Sequence, residues 1–152
     1  MAAKESSLKG ADQLLVTAIT HVLEKAKLNS HYFQLVPIPS SKNSQRRRGR
    51  SFIVDLTNQI SKSTGIASND CLQLSRRVRD QSGLTRSERV SNMSGAFILK
   101  KDAITRGELI LIDDVVTTGA TLREAARALY SQGFHSVGSV SAVTACVAQP
   151  LR

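Results

Sequence analysis

Residues 109–121 read LILIDDVVTTGAT. Four aliphatic residues run into Asp113 and Asp114, and a turn of small hydroxyl residues follows. Two adjacent carboxylates can accept hydrogen bonds from a pair of neighbouring hydroxyls, or hold a hydrated divalent cation. Thr117, Thr118, Gly119, Ala120 and Thr121 carry little bulk, so an anion can come close to their backbone. At the start of a helix such N–H groups lack intrahelical partners and carry the positive end of the dipole. The stretch therefore offers acceptors for a diol beside a seat for a phosphate, and a ribose 5-phosphate presents both groups. An acid after a strand also serves simply as a helix cap. A nucleotide-hydrolase strand would need a glycine-rich loop ending in Gly-Lys upstream; the chain contains no Gly-Lys pair.

Those residues need a scaffold, and the spacing of apolar residues predicts one. Leu14, Leu15, Ala18, Ile19, Val22, Leu23 and Ala26 follow a helical period, which predicts an amphipathic helix over Ser7–Leu28. Phe33–Ile38 reads as a buried strand stopped by Pro37 or Pro39. Phe52, Leu56 and Ile60 mark a second helix, capped by Gly65. Strands are expected at Cys71–Leu74, Ala96–Leu99, Leu109–Ile112 and Val137–Thr144. Residues 75–95 are polar without a strand pattern, and Thr85 with Glu88 has capping-box spacing for a short helix. After the opening stretch, Leu122, Ala125, Ala126 and Leu129 predict a helix that ends before Gly133. Thr121 and Glu124 again have capping-box spacing. Strands alternating with helices predict an α/β fold with a mainly parallel sheet flanked by helices. Asp113 and Asp114 would then leave a buried strand at its carboxyl end, where such sheets bind ligands.

The chain has 152 residues, enough for a single domain over residues 1–152. Its formal net charge is +9. From Lys42 to Arg89 there are 11 basic and 4 acidic residues, a surplus of +7. That concentration favours a polyanionic partner: nucleic acid, a phosphorylated small molecule or an acidic membrane surface. The scarcity of aromatics argues against base stacking. Two distant cysteines, Cys71 and Cys146, do not suggest a disulfide framework or a zinc site. No apolar run approaches the ~20 residues of a membrane span. With no signal-peptide pattern at residues 1–10, a reducing, cytoplasmic setting is expected.

LILIDDVVTTGAT resembles the phosphoribosyl-pyrophosphate signature of type I phosphoribosyltransferases throughout its length. LVPIPS, a basic loop ending RGRSF, RRVRDQSGLTRSERVSNMSGAF and IDDVVTTGATLREAARAL follow in the order found in ComF-type, competence-associated members. Similarity runs from about Leu35 to Ala145. Many ComF-type proteins begin with a cysteine-rich zinc segment; here no cysteine precedes Cys71, and residues 1–30 offer a helix instead. The resemblance implies a type I phosphoribosyltransferase fold with a flexible lid loop. Asp113 and Asp114 would contact the ribose hydroxyls, and Val116, Thr117, Thr118, Gly119, Ala120 and Thr121 the 5-phosphate. Ser40, Ser41, Lys42 and Arg50 would bind pyrophosphate. Residues 75–95 would form the lid, carrying Arg76, Arg77, Arg79, Arg86 and Arg89. Magnesium would be bound mainly through the substrate, with Asp113 and Asp114 reaching it through water.

The implied reaction displaces pyrophosphate from C1 of the ribose by an incoming nucleophile, commonly a base nitrogen. Cationic groups would stabilise the leaving group and a closing lid would exclude water. No general base is evident: His21, His31 and His135 lie outside the motifs. The alternative is a non-catalytic module on the same fold, binding a nucleotide or DNA and acting in DNA uptake. Arg46, Arg47, Arg48 and Arg50 suit either a pyrophosphate or a nucleic acid, and a homodimer is also compatible with the resemblance.

Overall fold

The computed structural model describes residues 2–28, 31–41, 51–79, 83–105, 107–131 and 139–147. The first helix, α1 (Ala2–Lys25), begins before the apolar period does and ends three residues short of Leu28. It leads to β1 (Phe33–Pro37), α2 (Phe52–Thr64) and a two-residue strand, β2 (Ala67–Ser68). β3 (Leu72–Leu74), α3 (Arg86–Met93) and β4 (Phe97–Leu99) follow. The chain continues through β5 (Glu108–Val116), α4 (Ala120–Ser131) and β6 (Val140–Val147).

The central sheet has the order β2-β1-β5-β6, and every pairing is parallel. Side chains on a strand alternate between faces, so each strand feeds two cores. Leu109 and Leu111 of β5 join Val36 beneath α4, together with Met93, Phe97, Ala125 and Leu129. Ile110 and Ile112 join Leu35 on the other face, beneath Val16, Ile19 and Leu23 of α1 and Phe52, Leu56 and Ile60 of α2. Two-sided burial accounts for the continuous aliphatic run of β5. The protein is thus an α/β fold with a mainly parallel central sheet flanked by helices, as expected.

The expected strands at Cys71–Leu74 and Ala96–Leu99 form outside that sheet. β3 and β4 pair antiparallel with each other, Leu72 opposite Leu99 and Leu74 opposite Phe97. They frame residues 75–95, which therefore connect two adjacent strands. Gly65 ends α2 in the left-handed conformation, φ 73°, its N–H bonded to the Ser61 carbonyl at 2.9 Å, as its C-cap position requires. Thr85 and Glu88 do form a capping box for α3. Gly107 makes a closer approach. Its φ is +69°, and a Cβ there would stand 2.2 Å from the Tyr32 carbonyl oxygen, which already accepts the Glu108 N–H at 2.7 Å.

Candidate active site

Strand order locates the site. From β1 the chain builds β2 on one side and later returns to place β5 on the other. A crevice opens at such a switch point, beyond the carboxyl ends of the two strands. β1 pairs with β5 only as far as Pro37 opposite Ile112, and the Ile38 N–H still reaches the Ile112 carbonyl at 3.0 Å. β6 accompanies β5 as far as Val116. The last four residues of β5 are therefore flanked by β6 on one side and by a cleft of about 350 Å³ on the other. Ser40, Ser41, Asp113, Asp114 and residues 115–121 line it, with Arg79 and Arg89 across from them.

Asp113 and Asp114 do not leave the strand after Ile112, as the sequence suggested; they continue it. The reason is β6, which supplies a partner that β1 no longer does. Each carboxylate also accepts the backbone N–H that follows it. Asp113 Oδ1 accepts from Asp114 N at 2.9 Å, and Asp114 Oδ1 from Val115 N at 2.8 Å. These bonds satisfy two consecutive backbone donors and restrict both side chains. Both acids are half-buried and both face the cleft, although successive strand residues point to opposite sheet faces. A cleft at a strand edge is reached from both faces.

Thr117, Thr118 and Gly119 make the turn into α4. Thr118 Oγ1 accepts the Ala120 N–H at 3.3 Å, and the Gly119 carbonyl accepts the Arg123 N–H at 3.0 Å. Gly119 has φ +71°. Arg123, not singled out by its sequence position, folds back over it: a Cβ on Gly119 would lie 3.1 Å from Arg123 Nη1. The capping-box expectation for Thr121 and Glu124 does not hold, because α4 begins at Ala120 and places Thr121 inside it. Glu124 is instead buried, 7% exposed, and salt-bridged to Arg127 at 2.6 Å and 2.8 Å. Arg127, together with the backbone N–H groups of Phe97 and Gly95, holds the Glu124 carboxyl below its usual range. Capping-box spacing marks Glu124 only as a helix cap; its burial and its bond to Arg127 leave no trace in that spacing.

The lid segment is more tightly built than a polar loop. Asn92 is buried and pairs with the Arg79 backbone at both ends, N–H to Oδ1 at 3.1 Å and Nδ2 to carbonyl at 2.9 Å. Arg76, expected to face substrate, donates to the Asn92 and Ser94 carbonyls at 2.9 Å and 2.7 Å. It thereby satisfies the last carbonyls of α3, a favourable place for a cation. Among the expected lid arginines, Arg79 and Arg89 line the cleft and Arg76, Arg77 and Arg86 do not. Arg89 reaches across it: Nε donates to the Leu84 carbonyl at 3.0 Å, and Nη1 to Thr117 Oγ1 at 3.1 Å. Lys42, Arg50 and Arg46–Arg48 lie outside the described residues.

A second cavity of about 340 Å³ shares Ile38, Pro39, Ser40, Ile53 and Leu74 with the first, and the Asp70–Lys100 ion pair, 2.6 Å, lies at its far side. Burial pushes the Cys71 thiol up to about 11, so it is an inert core residue. His21 and His31 are exposed and line neither cavity. His135 lies outside the described residues. Among the described residues no group of three or more His, Cys, Asp or Glu is placed to hold a metal, and no helix is long and apolar enough to cross a membrane. Asp113 and Asp114 are hard oxygen donors that suit magnesium, but as a pair they would leave most of its coordination to substrate oxygens and water.

No curated protein matches the sequence. Among solved structures, the chain is similar to orotate phosphoribosyltransferase from Aeropyrum pernix, at 15% identity and a TM-score of 0.44, over 94% of this chain and 72% of that one. The family described as phosphoribosyl transferase domain matches residues 46–149, well over half of the sequence, and the chain belongs to that family.

Proposed function

We propose that the protein binds phosphoribosyl pyrophosphate with magnesium and transfers the phosphoribosyl group to an acceptor, releasing pyrophosphate. One observation carries this reading: Asp113, Asp114, the 117–121 turn, Ser40, Ser41, Arg79 and Arg89 meet in a single cleft. The acids accept the ribose hydroxyls. The α4 N-terminus and the threonines receive the 5-phosphate. Ser40 and Ser41 donate to the pyrophosphate, and Lys42 and Arg50 are assigned the same role by their place in the sequence. Magnesium, when bound, neutralises charge on the leaving pyrophosphate. As the bond at C1 breaks, Asp113 and Asp114 face a ring that gains positive charge, which strengthens their interaction with it. Residues 75–95 act as the lid that keeps water from C1.

Calorimetric titration with phosphoribosyl pyrophosphate, with and without magnesium, tests binding; pyrophosphate release against a panel of bases tests transfer. Absence of heat, with Asp113→Asn plus Asp114→Asn changing nothing, overturns the proposal. Binding without release for any base moves the assignment to a non-catalytic module. The position of α1 favours that second reading. Val16, Ile19 and Leu23 lock α1 against α2 and the sheet, and no described residue of α1 lines the cleft as an acceptor-reading hood would. The motif order from LVPIPS to LREAARAL supports placement among ComF-type members, and with it a role in DNA uptake. DNA binding through residues 46–50 would appear as a steep salt dependence of affinity that weakens when Arg46–Arg48 are neutralised.

A further inference from the structure

We propose that Arg89 recognises the 5-phosphate end of the donor, not the leaving pyrophosphate, and so makes lid placement depend on a phosphorylated sugar. The inference rests on the ribose 5-phosphate reading of the cleft. It starts from charge. The turn 117–121 contains no cationic side chain, and Asp113 and Asp114 stand just before it. A phosphate seated on the turn would meet two carboxylates, while a helix end supplies only about half a positive charge. A dianion there needs a further cation, and the structure provides one from an unexpected element. Arg89 belongs to α3 in the lid segment, 28 residues before Thr117, yet its Nη1 lies 3.1 Å from the Thr117 hydroxyl.

The same guanidinium holds the Leu84 carbonyl through Nε at 3.0 Å, which tethers it to the segment that carries α3. Among the described residues these two bonds use two of its five N–H groups. The Thr117 oxygen accepts from Arg89, which leaves the hydroxyl proton to be donated elsewhere. A phosphate oxygen bonded to that hydroxyl at about 2.7 Å lies within roughly 6 Å of Nη1, close enough for a modest side-chain rotation to complete a charge-assisted bond. Anchored at Leu84, the lid would then settle where the phosphate draws Arg89. Arg123, whose Nη1 would lie 3.1 Å from a Cβ on Gly119, adds a second positive charge at the turn.

Ribose 5-phosphate and pyrophosphate, titrated separately, decide the matter. Against wild type, Arg89→Gln should weaken ribose 5-phosphate binding by at least about tenfold, the loss of one charge-assisted contact, and leave pyrophosphate affinity within about twofold. Arg89→Lys, which keeps the charge and loses the fork, should fall between. Retained pyrophosphate binding shows that the variant is folded, and Arg89→Lys serves in its place if Arg89→Gln is not. Loss confined to pyrophosphate would assign Arg89 to the leaving group and overturn the proposal. Equal loss of both ligands would reduce Arg89 to a structural brace and overturn it too. If wild type binds neither, the ribose 5-phosphate reading fails first and this assignment falls with it.

Discussion

At the residue scale, the acids of the candidate site serve the backbone and, on the proposed reading, a ligand as well. Asp113 and Asp114 each hold the next N–H, so Asn at either position keeps an acceptor for that bond while removing the charge. Asp113→Asn and Asp114→Asn should each weaken donor binding by about 10- to 100-fold, the worth of a hydrogen bond to a charged group, with little change in Tm; calorimetry and thermal melting separate the two effects. Glu124 differs, being a buried anion whose partners are all protein groups. Its carboxyl titrates lower in the folded chain than the ~4.3 of an unfolded glutamate. Its stabilisation is therefore complete above that value and lost as pH falls through the folded one. Glu124→Gln should cost about 1–3 kcal/mol at pH 7, and the gap to wild type should narrow as pH falls below the ordinary glutamate range; urea melts at falling pH check it. Gly107→Ala places a Cβ against the Tyr32 carbonyl at a left-handed φ. It should lower stability by roughly 2 kcal/mol or more, since the conformation alone costs about 1–2 kcal/mol. That appears as a Tm drop of several degrees.

At the element scale, the segment 75–95, proposed as the lid, matters most. Sequence polarity showed that residues 75–95 are not a sheet strand, and the Thr85–Glu88 spacing located the start of α3. What polarity could not show is the stapling. Asn92 and Arg76 look like solvated side chains in a polar stretch, but their partners are main-chain groups 13 to 18 residues away. Long-range side-chain-to-backbone bonds leave no periodic trace. Asn92→Ala should release the segment around Arg79, removing both side-chain bonds that hold its exposed backbone. Limited proteolysis should then cut within 79–85 about tenfold faster, and added phosphoribosyl pyrophosphate should restore resistance. Equal digestion rates would mean that the staple does not control lid opening. The same limit explains why β3 and β4 looked like sheet strands. Three-residue apolar runs reveal burial but not the partner, and here the partner is each other.

At the scale of the whole molecule, the α/β class, the parallel sheet and the cleft-forming turn were legible because each depends on periodicity or on residue type at fixed spacing. The aliphatic run of β5 announces burial on both faces, and TTGAT announces a helix start. The full length of β5 was not legible. Asp113 to Val116 are poor strand residues by composition at the acid pair, and they stay extended because β6 lies alongside. α1 was legible as an amphipathic helix, whereas its packing on α2, away from the cleft, was not. On the proposed reading, an acceptor would be read by groups other than the described residues of α1, since none of them lines the cleft.

β5 changes company along its length, with strands on both sides up to Ile112 and on one side beyond it. A strand hemmed in twice opens only when the whole sheet does, whereas one hemmed in once can part from its neighbour alone. Amide hydrogens of residues 109–112 should therefore exchange with solvent at the slow rate of global unfolding, and those of 114–116 much sooner. The boundary between rigid and yielding falls between Ile112 and Asp113. Asp113 and Asp114 are thus the first residues of β5 with a paired strand on one side alone among the described residues.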